Sequence, residues 1–281
     1  MVNWKEIAKI DSHIHLMPEE VRQANIETGG KFVVYGGLED YKRLMEKYNI
    51  EAAFIMPFND PYMLSMDFTV ESVHKNLAQI IEGQEQKLYA FADVDLRLEI
   101  KETLRELDRV LAHENFLGIK IHPNNAAYPI DGLYYKEILS YAEKNNRLVE
   151  IHSYPKDHLV DDLCSPARIK KALEPYPRLR VSIAHLGGFH YQEFFGLPYY
   201  FNISAILNAY VDRLGLEKTN EILRKLGVDR LVFASDYPDN RSLKADEIYD
   251  KYFQSLNQMD FTQEEAEKIC RTNALKMIGK A

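Results

Sequence analysis

The chain has 281 residues, 46% of them hydrophobic and 28% charged, the balance of a globular protein with material for a large core, which excludes a disordered or fibrous chain. A formal net charge of −8 argues against a broad electrostatic grip on nucleic acid, which needs a basic surface, and points to a small-molecule partner. Two cysteines, Cys164 and Cys270, far apart and without metal-type spacing, argue against a disulfide framework and suit a reducing, cytoplasmic compartment.

The opening MVNWKEIAKI lacks the apolar core of a signal peptide, and no segment approaches the roughly 20 apolar residues of a membrane span. The expectation is a protein with no membrane partner.

Apolar runs bounded by Gly, Pro or Asp mark eight candidate strands, near 10–16, 51–57, 88–95, 117–122, 148–153, 180–186, 200–205 and 230–236. Between most of them lie stretches with apolar residues every three or four positions, such as LEDYKRLMEKYN, IKETLRELDRVLAH, YKEILSYAEKNN, ARIKKALEPYP, TNEILRKLG and DEIYDKYFQSL. This alternation predicts an α/β fold in which residues 1–281 form one (β/α)₈ TIM barrel, a fold of about 250 residues. A doubly wound sheet is disfavoured because no Gly-rich phosphate turn follows the first strand. The sixth unit is the weakest: FHYQEFFGLPYY, after the sixth strand, reads as a loop with at most one helical turn. The connection from Met17 to Gly37 is long for a βα loop and is expected to fold over a site. After the eighth strand two helices are expected, the second being FTQEEAEKICRTNALKMIG, with Thr262 and Glu265 in capping-box spacing.

Side chains on a strand alternate faces, so in IDSHIHL the residues Asp11, His13 and His15 share one face. Strand four ends GIKIHP with Lys120 and His122, strand five VEIHSYP with His152, strand six VSIAHLGG with His185, and strand eight VFASDYP with Asp236. Five of the nine histidines thus fall at carboxyl ends of strands, the face on which this barrel builds active sites. His74, His113, His158 and His190 lie in helices or loops and read as packing or surface residues. Imidazoles with a carboxylate suit Zn²⁺, and also Mn²⁺ or another transition metal, and the absence of cysteine from the set argues against a purely structural zinc site. An ion held by three histidines and one aspartate lowers the pKa of its water to about 7, and Asp236 is placed to accept the proton as general base.

In this order, DSHIHL, GIKIHP, VEIHS, IAHLGG and ASDYP resemble the strand-end motifs of the amidohydrolase superfamily, specifically its amidohydrolase-2 branch, over nearly the whole chain. The resemblance implies metal ligands at His13, His15, His152 and Asp236, with His185 beside the reacting group, so that Asp236 and His185 are the catalytic pair. It also implies an enzyme, of a branch in which dimers are common. Binuclear relatives bridge their ions at the end of strand four, near Lys120. Here strand parity turns both Lys120 and Glu150 inward on adjacent strands, where the two can pair. One divalent ion is therefore expected rather than two, with Lys120 and His122 left as second-metal or substrate contacts.

Asp93 and Asp95 on strand three, and Asn202 and Ser204 on strand seven, are further inward polar residues, read either as substrate contacts or as loop ties. The aromatic run Phe189, Tyr191, Phe194, Phe195, Tyr199 and Tyr200 is expected to line a pocket or to pack on the barrel, and Arg241 to meet solvent or a substrate carboxylate. The leading expectation for function is hydrolysis of a C–N or C–O bond, in an amide or lactone, by metal-activated water. A metal-dependent decarboxylase or hydratase would use the same residues. A nuclease of the TatD type similarly carries His-x-His but expects a glutamate on strand four, and an inactive metal-binding barrel would not need a complete ligand set.

Overall fold

The computed structural model describes the chain except residues 1, 17, 20–22, 24–26, 28–36, 58–68, 156–161, 205, 239–244 and 281. Most of the Met17–Gly37 connection, together with Arg241 and His158, lies outside the described residues. Among the described residues, no helix is long and apolar enough to cross a membrane.

Eight parallel strands lie side by side in sequence order: β1 (Lys9–Ile14), β2 (Ile50–Ile55), β3 (Lys87–Ala92), β4 (Phe116–Ile121), β5 (Leu148–Ile151), β6 (Val181–Ile183), β7 (Tyr200–Asn202) and β8 (Leu231–Val232). The segment after β8 runs on beside β1 and closes the barrel. Ser12 donates its backbone N–H to the Phe233 carbonyl at 3.0 Å, Asp236 to His13 at 2.9 Å and His15 to Tyr237 at 2.6 Å. The last two of these bonds carry His13, His15 and Asp236, residues of the candidate site.

β1, β5 and β6 are buried along their whole length, the pattern of a parallel sheet wrapped in helices. At about 1.5–3 kcal/mol for each buried Leu, Ile or Phe side chain, this core supplies most of the drive to fold. On β4, Gly118 is dictated by close approach: a Cβ there would strike the Leu148 carbonyl on β5 and stand 3.0 Å from the Phe91 ring.

The connecting helices are α1 (Leu38–Lys47), α2 (Val70–Ile81), α3 (Ile100–Val110), α4 (Leu133–Lys144), α5 (Pro166–Leu173), α6 (Ile206–Leu214), α7 (Leu216–Leu226) and α8 (Ala245–Asn257). Local chemistry sets several of their ends. Thr69 accepts from the Ser72 N–H at the start of α2, and Glu99 with Glu102 forms a capping box for α3. The expected Thr262–Glu265 box opens the last helical stretch, which passes through a π-turn at Lys268–Thr272 before α10 (Asn273–Met277), α9 being Gln263–Glu267.

Two differences from the sequence reading have local causes. ILNAYVDRL forms a helix of its own, α6, because Gly215 at φ 82° turns the chain before α7. After β6 the chain forms 3₁₀ turns from Ala184 to Phe194, broken by left-handed residues. Its aromatic side chains pack inward: Phe194 stands 5.7 Å from Phe201, and Tyr191 5.6 Å from Tyr210.

At the amino-terminal end of the barrel, Lys9 is fully buried, and its ammonium donates to the carbonyls of Lys5, Ile7 and Tyr48. Both cysteines are free and buried, and burial pushes each thiol up to about 12, which leaves them unreactive at neutral pH.

Candidate metal centre

The side chains that matter converge at the carboxyl ends of the strands. From β1, Nε2 of His13 lies 3.3 Å from Nε2 of His15, and each is 3.4 Å from Oδ1 of Asp236. A tetrahedral ion with bonds of about 2.1 Å keeps its ligand atoms about 3.4 Å apart. The three atoms thus have the spacing of one face of a coordination tetrahedron.

The other side of the His13 ring is held in place. Nδ1 lies 2.9 Å from Oε1 of Glu150 on β5, and Asn202 on β7 donates its amide to the same oxygen at 2.7 Å. A carboxylate only accepts, so the His13 proton belongs on Nδ1 and the Nε2 lone pair faces the cluster. Asn202 also accepts the backbone N–H of His185 through Oδ1 at 2.7 Å. One amide therefore ties β5, β6 and the His13 ring together.

His185 stands inside this group. Its Nδ1 is 3.0 Å from the Ser204 hydroxyl and 3.9 Å from Oδ2 of Asp236. Atoms of His13, His185 and Asp236 lie within 4.8 Å of one another, a grouping able to hold an ion. His152 stands beyond it, with its ring centroid 4.9 Å from that of His185. It stacks on His122 at 3.7 Å and 14°. The imidazole in closest register with Asp236 from the far strands is thus that of β6, while those of β4 and β5 form a stacked pair beside it.

Backbone strain collects at the same place. His185, Leu186, Ser204 and Asp236 are non-glycine residues in the left-handed region, at φ 56°, 54°, 39° and 60°. Each such conformation costs on the order of 1 kcal/mol or more and persists only where the surroundings impose it. Gly187, at φ 80°, leaves no room for a Cβ, which would lie 2.5 Å from the Phe194 ring.

Electrostatics prepare the donors. Burial, reinforced by the Lys120 charge, holds the His13 imidazole well below its ordinary value. Burial does the same for His122, again with Lys120, and for His152, with His122 beside it. These rings are neutral near pH 7, the state in which imidazole binds a cation. Burial pushes the Asp236 carboxyl up, but the neighbouring imidazoles of His185 and His15, with Lys120, outweigh it and hold the group at about 2. Asp236 is therefore ionised throughout the neutral range.

Lys120 and Glu150 face each other in register across β4 and β5, as strand parity implied, but they do not pair. Glu150 is taken by His13 and Asn202, and the Lys120 ammonium has no hydrogen-bond partner among the described residues. Burial lowers the lysine's pKa, opposed by the charges of Glu150 and Asp236. Asn202 and Ser204 belong to the site. Asp95 instead accepts from the Arg97 backbone and guanidinium at 3.0 and 2.8 Å and ties down its own loop. The bond from His13 to Glu150 was beyond the sequence reading, since β1 and β5 oppose each other across the barrel and no spacing in the chain connects them.

The amidohydrolase-2 family model, described as amidohydrolase, matches residues 10–280. No curated protein matches the chain in sequence. Among solved structures, 2,6-dihydroxybenzoate decarboxylase from Rhizobium is similar at 14% identity over 97% of this chain and 99% of that one, with a TM-score of 0.67. A protein from Pseudomonas putida provisionally named 2-pyrone-4,6-dicarboxylic acid hydrolase is similar at 16% identity over 98% of each chain, with a TM-score of 0.70. Dihydroxybenzoic acid decarboxylase from Polaromonas sp. JS666, solved with bound manganese and the inhibitor 2-nitroresorcinol, is similar at 14% identity over 97% of each chain, with a TM-score of 0.68. At these identities the likeness is one of fold, which many chemistries share. The family match is of a different kind, since it follows the sequence itself from β1 to the last helix, and on it this chain belongs to the amidohydrolase-2 family.

Proposed function

We propose that this chain is a metal-dependent hydrolase that cleaves a C–N or C–O bond, of an amide or lactone, in a small molecule. The observation that carries the reading is the triangle of His13 Nε2, His15 Nε2 and Asp236 Oδ1, with sides of 3.3, 3.4 and 3.4 Å. In this reading His13, His15 and Asp236 hold one divalent ion, zinc or manganese, with His152 as the further imidazole. The ion supplies a Lewis acid and brings water toward ionisation near neutral pH.

The protein's own groups do the rest. Glu150 fixes the His13 tautomer and orients its ring. Asp236, ionised at neutral pH, keeps Oδ2 on the His185 side, where it accepts the proton of the attacking water. His185, set by Asn202 through its backbone and by Ser204 at Nδ1, stands next to that oxygen and polarises the substrate carbonyl or passes a proton to the leaving group. The left-handed backbone at His185 and Asp236 brings both side chains to the same point.

A second reading, a metal-dependent decarboxylase or hydratase, uses the same residues with another substrate pose. It draws support from the names of two structural relatives, both decarboxylases. A panel of amides, lactones and hydroxybenzoates offered to zinc- and manganese-loaded enzyme separates the two. The hydrolase reading expects acid release from an amide or lactone, lost in Asp236→Asn. Carbon dioxide release without hydrolysis of any ester or amide would replace it with the lyase reading.

A further inference from the structure

Lys120 is 3% exposed, and its ammonium has no hydrogen-bond partner among the described residues. The carboxylate opposite it in register, Glu150, turns Oε1 to His13 and Asn202 and makes no hydrogen bond to the ammonium. A desolvated ammonium in this position is costly unless something accepts from it. The place of Lys120 on β4, in register with Glu150, turns the buried side chain into the barrel, and its charge acts on His13, His122, His152 and Asp236.

His122 lies two residues further on, just past the end of β4, where the alternation of the strand turns it to the same side. Its Nδ1 accepts the backbone N–H of Asn125 at 3.2 Å. That bond puts the ring proton on Nε2, making the free edge of His122 a donor. His122 stays partly exposed, with its ring stacked on that of His152. Lysine has three donors and no acceptor, so the two side chains together present donors alone. A second metal ion is a poor occupant, because the ammonium repels it and Nε2 of His122 carries a proton in place of a lone pair. A planar carboxylate, accepting on both oxygens, is complementary.

We propose that Lys120 and His122 form a carboxylate-binding subsite, so that the substrate is an organic acid held by its carboxylate on β4 while a different bond reacts beside Asp236. The catalytic half of this statement rests on the metal-dependent reading above. The binding half does not.

The test is calorimetric titration of benzoate, with acetate as a smaller probe and uncharged benzamide as a control, into the full chain in metal-depleted and manganese-loaded forms. Wild type is expected to bind benzoate or acetate in both forms and to bind benzamide at least tenfold more weakly. Lys120→Met, which keeps most of the unbranched side chain and removes the charge, is expected to weaken carboxylate binding at least tenfold. His122→Leu is expected to weaken it several-fold and carries the test if Lys120→Met fails to fold. Equal carboxylate affinity in wild type and variants, or no binding of either acid to wild type, would overturn the subsite. Binding that appears only with manganese and survives Lys120→Met would also overturn it, while leaving the metal reading intact. Carboxylate binding that depends on Lys120 in a chain that takes up no manganese would do the reverse.

Discussion

Glu150 on β5 reaches across the barrel to His13 on β1, with Oε1 2.9 Å from Nδ1, and both side chains are 1% exposed. Outer partners of this kind fix the tautomer and orientation of a metal-binding imidazole, and losing one typically costs about 10–100-fold in metal affinity. Glu150→Gln keeps the shape and removes the charge. It is expected to fold normally and to bind zinc about 10–100-fold more weakly in a chelator competition titration. Unchanged affinity would mean that the His13–Glu150 bond serves the barrel and not the ion.

Asp236 is assigned two tasks, ligand and proton acceptor. Asp236→Asn is expected to lower turnover by about 10²–10⁴-fold, the range of a positioned general base, while circular dichroism and the melting transition stay close to wild type. A variant with full activity would remove Asp236 from the chemistry.

His185 adjoins Asp236 and Ser204, and its place relative to the ion is open to a direct test. His185→Asn is expected to lower turnover by about 10²-fold or more with metal content preserved, as for a group that faces the substrate. Loss of the metal in the same variant would make His185 a ligand, in keeping with its position within 4.8 Å of His13 and Asp236.

The architecture was legible because a (β/α)₈ barrel writes itself as a rhythm of apolar runs and amphipathic stretches, and because each strand end carries a distinctive residue. His13, His15, His122, His152, His185 and Asp236 all reach one mouth for that reason. What the chain alone withheld was contact across the barrel. Lys120 and Glu150 are in register on neighbouring strands, so their pairing was the natural inference, yet Glu150 turns to His13, four strands away. The order of imidazoles around Asp236 was equally hidden, because it depends on the left-handed turn at His185 (φ 56°). The predicted eighth strand ran to Asp236, whereas the ladder ends at Val232. Beyond it the chain continues along β1 and turns left-handed at Asp236 (φ 60°).

Lys9, at the opposite end of the barrel, gives a prediction about stability. Burial lowers its pKa to about 8, only partly offset by the charges of Cys270, Asp11 and Glu6, against about 10.4 in an unfolded chain. The folded state thus binds the proton less tightly, and the associated stability is present above the unfolded value and lost as pH falls through about 8. In denaturant titrations, the stability of wild type relative to Lys9→Met is expected to rise between pH 7 and pH 10.5, by up to about 3 kcal/mol. A pH-independent difference would show that the ammonium is as well solvated by the carbonyls of Lys5, Ile7 and Tyr48 as by water.

The central claim is that His13, His15 and Asp236 hold a divalent ion. The most direct test is the metal content per chain, by plasma mass spectrometry, of protein purified without chelator, beside a His13→Ala, His15→Ala double variant. The account predicts about one zinc or manganese per wild-type chain and almost none in the variant. Equal metal in both, or none in wild type even after titration with zinc and manganese, would contradict it.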